Sequence, residues 1–126
     1  MIGDEDRVIA RFCVWLETLG WTAEREVKFV DVLATRGDER LYAEAKGRTT
    51  DPGLDVDTLY GQLLRRMPAE ELGQAIFAVV VPDVAVRAAN RVPQRIRRAL
   101  GIEIYSVGED GSVMYVGDGP DPVVRH

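Results

Sequence analysis

Three charged residues sit where charge is costly. Asp31 lies within the apolar, β-branched run Phe29-Val30-Asp31-Val32-Leu33-Ala34, and Glu44 and Lys46 lie in a second such run, Leu41-Tyr42-Ala43-Glu44-Ala45-Lys46. Side chains two apart on a strand share a face, so Glu44 and Lys46 point the same way. The polar stretch Thr35 to Arg40 holds a glycine and reads as the turn of a hairpin, which would fold Asp31 alongside Glu44. Lys, Glu and Asp are rarely buried unless paired or bound to a metal.

Two neighbouring carboxylates repel unless a proton or a cation lies between them. A hard divalent ion suits them. Mg²⁺ takes one or two protein carboxylates and completes its shell with water and substrate phosphate. A lysine beside it can hold or deprotonate the attacking water, or neutralise charge building on a phosphate. That set describes metal-assisted phosphodiester hydrolysis. Two other readings of the trio stand beside it. One is a structural salt-bridge cluster, although buried ion pairs are weak stabilisers. The other is a non-catalytic domain that binds nucleic acid or a protein.

Asp31, twelve intervening residues and Glu44-Ala45-Lys46 resemble the signature of the PD-(D/E)XK nucleases, of restriction endonuclease-like fold. The likeness spans roughly residues 4 to 81, with Val30 where the family's proline stands. The resemblance implies a three-layer α/β/α sandwich with a central mixed sheet. It also implies a Mg²⁺- or Mn²⁺-dependent endonuclease acting on DNA, with RNA kept as a second substrate class. Asp31 and Glu44 would bind the metal with the backbone carbonyl of Ala45, and Lys46 would serve the attacking water. Gln62, on the helix after the lysine strand, would complete the site; periodicity alone places it on the surface. Some Mrr-like and junction-resolvase-like members add an acid from the first helix, but Glu5 and Asp6 fall about a turn early for that role.

The elements that must position these residues follow from pattern. Residues 4 to 19 carry Val8, Ile9, Phe12, Cys13, Trp15, Leu16 and Leu19 at helical spacing, after Asp4 as a cap and before Gly20 as a stop. Residues 24 to 29 read as a polar edge strand, whose Glu24 or Glu26 could add a carboxylate. The central strands run about 29 to 35 and 40 to 46. The loop 47 to 53 leaves beside Lys46, so Arg48, Thr49 and Thr50 could meet a phosphate. A helix from Asp55 or Asp57 to Met67 ends at Pro68, with Arg65 and Arg66 in its last turn, where cations complement the dipole and could reach DNA. After a short helical connection over 69 to 73, the unbroken apolar run 75 to 81 reads as a strand buried on both faces, parallel to the lysine strand. Residues 83 to 100 are helical and broken near Pro93, with five arginines against one acid. They form either a solvated face or a DNA-backbone surface. Strands at 102 to 107 and 112 to 116 close the sheet.

The domain therefore covers residues 1 to 117, and 118 to 126 form a flexible tail without pattern. At 126 residues the chain is large enough for one core. With 46% hydrophobic and 29% charged residues it reads as globular, and no apolar run spans a membrane. An acidic N-terminus is unlike a secretory signal, so the expected location is cytoplasmic. One cysteine, Cys13, and one histidine, His126, exclude an intramolecular disulfide, a Cys/His zinc site and a Ser-His-Asp triad. Cys13 belongs to the core. A net charge of −5 speaks against coating nucleic acid by bulk electrostatics, but a local basic face with a bound cation can still attract phosphate. Cutting both strands of a duplex favours a homodimer, and a partner protein could supply targeting.

Overall fold

The computed structural model describes residues 4–28, 30–48 and 50–124. Helix α1 (Asp4–Thr18) buries Val8, Ile9, Phe12, Cys13 and Leu16, one stripe at helical spacing, and opens with three acids that complement its dipole. It ends where expected. Gly20 takes φ +89° and the Trp21 N–H donates to the Leu16 carbonyl at 3.1 Å, a closure that disfavours any side chain at that glycine.

The chain continues through β1 (Thr22–Val27), β2 (Val30–Arg36), β3 (Glu39–Ala45), α2 (Pro52–Arg66), a 3₁₀ turn at Ala69–Glu71 and β4 (Ile76–Pro82). A second 3₁₀ turn at Asp83–Ala85 leads into α3 (Val86–Ala89) and α4 (Gln94–Ala99), followed by β5 (Ile102–Val107) and β6 (Val113–Val116). The six strands lie in sequence order. β3, β4 and β5 are mutually parallel, and the flanking pairs are antiparallel. The sheet is mixed, as expected.

Each face of the sheet has its own core. α1 covers Val32, Ala34, Ala43, Ala78, Val80 and Tyr105, whereas α2 and the segment after β4 cover Tyr42, Phe77, Val79, Val81 and Ile104. Successive residues of β4 alternate between these cores, which is why its apolar run is continuous. The molecule is an α/β sandwich.

Four local expectations are corrected. The β2–β3 turn is only Gly37-Asp38, because Arg36 and Glu39 still pair across the hairpin and Gly37 supplies φ +61°. Helix α2 starts at Pro52 rather than at Asp55 or Asp57. Asp51 is its cap and accepts the Leu54 N–H at 3.1 Å, and Pro52 at the first position needs no donor. The tail is not free over residues 118 to 124. Val123 is fully buried, its carbonyl accepts from Trp21 Nε1 at 3.2 Å, and Asp121 accepts from the Tyr105 hydroxyl at 2.7 Å. In the basic stretch, Arg97 faces inward at 1% exposure, with Nε on the Val92 carbonyl. No helix among the described residues is long and apolar enough to cross a membrane.

Candidate metal centre

Asp31 marks a break in the sheet. Val30 packs into the α2-side core and Val32 into the α1-side core, although strand alternation would send both to one face. Across the hairpin, Glu26 lies between the pairs Arg25↔Val32 and Val27↔Val30 with φ +56°, and Lys28 follows at +54°. Side chains rarely take that backbone region, and such residues gather at functional sites. On its other side β2 pairs regularly with β3 from Val32↔Ala43 onward. Beyond that pair the Asp31 carboxylate takes over, accepting the Ala45 N–H at 2.8 Å. The aspartate is thereby fixed against the strand that carries the other two residues.

Glu44 is the centre of the arrangement. Its side chain has no solvent exposure, although its neighbours Ala43 and Ala45 belong to the opposite core. Oε1 accepts from Arg66 Nη1 at 2.6 Å, and Oε2 is buried without a hydrogen bond. Burial is the largest influence on this carboxyl, and Asp31 beside it acts in the same direction. Together they outweigh Arg66 and push Glu44 up to about 7.

Lys46 stands where β3 leaves the sheet, its N–H on the Val80 carbonyl at 3.1 Å. Its ammonium is 3.9 Å from Glu5 Oε1. Glu5 is raised by burial and then by Asp31, with Lys46 opposing, so the first turn of α1 reaches the Asp31–Lys46 neighbourhood. The chain gets there through Gly47: a Cβ at this position would lie 2.2 Å from the Glu5 backbone nitrogen, a contact only glycine permits. The Arg48 N–H then donates to Asp4 Oδ2 at 2.5 Å. The lysine strand and the α1 N-terminus are in contact.

Asp31, Glu44, Ala45, Lys46, Glu5 and Arg66 therefore make one constellation. Gln62 is half-buried on α2, four residues before Arg66 and so on the same helical stripe. Arg65 is exposed. Arg48 is exposed and paired with Glu109 at 2.8 Å. Thr49 lies outside the described residues. Two members were missed or doubted in the sequence: Glu5, whose reach depends on the Gly47 crossing, and the pairing of Arg66 with Glu44. An open groove of about 320 Å³, lined by Glu26, Lys28, Val30 and Asp31, adjoins the site.

Among the described residues, no three His, Cys, Asp or Glu side chains gather as a metal-binding set. The two carboxylates of Asp31 and Glu44 suit Mg²⁺ or Mn²⁺, which need one or two carboxylates and otherwise keep water. The unbonded, buried Oε2 of Glu44 beside the Asp31 carboxyl is the observation in favour of such an ion.

No family model matches the chain, and no curated protein matches it. Solved structures share its fold. An XisH family protein from Nostoc punctiforme superposes with a TM-score of 0.62 over 89% of this chain and 100% of its own, at 16% identity. An fdxN element excision controlling factor protein from Anabaena variabilis superposes with a TM-score of 0.63 over 89% and 99%, at 15% identity. At such identity the likeness is one of fold.

Proposed function

We propose that this chain is a divalent-metal-dependent endonuclease of the PD-(D/E)XK kind, hydrolysing phosphodiester bonds of DNA. The observation that carries the reading is Glu44: a carboxylate without solvent exposure, beside a second carboxylate, with one oxygen unbonded and a lysine two residues on. Asp31, Glu44 and the carbonyl of Ala45 would hold Mg²⁺ or Mn²⁺. When bound, such an ion polarises the phosphoryl oxygen and lowers the pKa of water.

The chain's own groups do the rest. The Ala45 N–H holds one oxygen of Asp31 and so fixes that carboxyl beside Glu44. Lys46, restrained by Glu5, donates to the attacking water or to the phosphate oxygens as charge builds on them. Water adds to phosphorus, one P–O bond breaks, and the products are a phosphomonoester and a hydroxyl. Gln62 and the arginines of α2 are the side chains assigned to the backbone phosphates, with Arg48 released from Glu109. A cytoplasmic homodimer, one site per strand, is part of the proposal. The fdxN excision controlling factor is a structural neighbour, and excision is a setting in which phosphodiester bonds are cut.

A second reading has its own observation. Arg66 already occupies one oxygen of Glu44, as it would in a binding module that keeps the fold without the chemistry. One experiment separates the two. The purified chain is incubated with supercoiled, linear, single-stranded and branched DNA in Mn²⁺, beside Lys46→Ala and an EDTA control. The nuclease reading expects cleavage that EDTA abolishes and Lys46→Ala lowers by about 10²-fold or more, with folding intact. Undiminished cleavage by Lys46→Ala refutes the assignment, and no cleavage of any substrate favours the binding module.

A further inference from the structure

The closest ion pair at the candidate centre joins unequal partners. Glu44 is rooted in a central strand and has no exposure, whereas the Arg66 side chain is 37% exposed and belongs to the last residue of α2. Their contact of 2.6 Å is the only hydrogen bond of this guanidinium among the described residues. Among the described residues, most of its N–H donors are therefore uncommitted. If either partner moves, it is the arginine.

Charge makes the same point. Asp31 and Glu44 bring two acids to the centre, Arg66 brings one cation to Glu44, and Lys46 and Glu5 offset one another at 3.9 Å. A divalent ion on the two carboxylates would already neutralise them, leaving the guanidinium in excess beside a cation it repels. A phosphodiester brings one negative charge and planar oxygen pairs that suit a guanidinium fork.

We propose that Arg66 is a displaceable occupant of the cation position, held on Glu44 until a divalent ion takes that carboxylate and then turned toward the substrate phosphate. The inference rests on the reading of Asp31 and Glu44 as a metal site. Arg66 competes with the ion and, once released, is a substrate-positioning group. Metal loading and phosphate binding are thereby coupled: the ion that activates the centre also frees the arginine.

The test titrates Mn²⁺ into the full chain without DNA, for wild type, Arg66→Gln and Arg66→Lys, with circular dichroism as the check on folding. Removing the competitor should tighten Mn²⁺ binding by about tenfold in Arg66→Gln. Arg66→Lys, which keeps the charge but loses the fork, should fall between the two. In Mn²⁺, with Lys46→Ala as the background, Arg66→Gln should also lose duplex affinity that it does not lose in EDTA. A folded Arg66→Gln that binds Mn²⁺ no tighter than wild type overturns the proposal. If that variant does not fold, Arg66→Lys at wild-type affinity or weaker overturns it instead. Absence of Mn²⁺ binding by all three proteins overturns the metal site itself, and the inference with it.

Discussion

A carboxylate shut away from water must be neutralised, whether by a proton, an arginine or a metal ion. Glu44 is offered an arginine on one oxygen and a second carboxylate nearby, and burial dominates both. Its pKa is raised from 4.5 to about 7. A raised folded-state value means that this group stabilises the fold fully below about 4.5 and that the contribution is lost as pH climbs through about 7. In EDTA, wild type should thus lose stability through this group as pH rises across that range. Glu44→Gln should escape that loss. Thermal melts of both proteins from pH 4.5 to 8 would show it as a Tm difference that moves in favour of Glu44→Gln with rising pH and then levels off. Parallel curves would contradict it. At this scale the sequence was informative where charge interrupts an apolar run, as at Asp31 and Glu44. It pointed to Arg66 as a DNA contact but not to its pairing with Glu44, 22 residues away, because a basic residue at a helix end has a sufficient local reason to be there.

At the scale of elements, the site depends on three pieces meeting: the end of β3, the first turn of α1 and the last turn of α2. Gly47 is the joint between the first two. Since its Cβ would lie 2.2 Å from the Glu5 nitrogen, far inside van der Waals contact, Gly47→Ala must push the loop off α1 and strain the Arg48–Asp4 bond. Overpacking of this kind costs about 1–3 kcal/mol. We expect a denaturation midpoint lowered by that amount, and cleavage falling more than stability requires, because Glu5 and Lys46 separate. A Gly47→Ala protein as stable and active as wild type would show that the contact positions nothing. Helices and strands were legible from periodicity, and the α1 stop from Gly20. The α2 start was misplaced because Asp51, Asp55 and Asp57 are all competent caps, and Pro52 decides among them. Glu5 looked a turn too early because its reach depends on a glycine 42 residues further along.

At the scale of the whole molecule, the order of elements led to a mixed sheet with a helix layer on each face, and β3 and β4 are indeed parallel neighbours. What sequence could not show is closure by the last residues. Val123 sits between a proline and another valine without any period, yet it is fully buried against the α1-side core. The sheet brings Asp31, Glu44 and Lys46 together at one place, joined by Glu5 and Arg66, and the molecule's proposed chemistry depends on that place holding a divalent ion. The direct test is a calorimetric titration of Mn²⁺ into wild type and Asp31→Asn, both in metal-free buffer at neutral pH. A two-carboxylate centre predicts binding by wild type and a loss of at least about tenfold in Asp31→Asn, since even outer-shell partners of a metal are worth 10–100-fold. Equal affinities, or no binding by wild type, would contradict it.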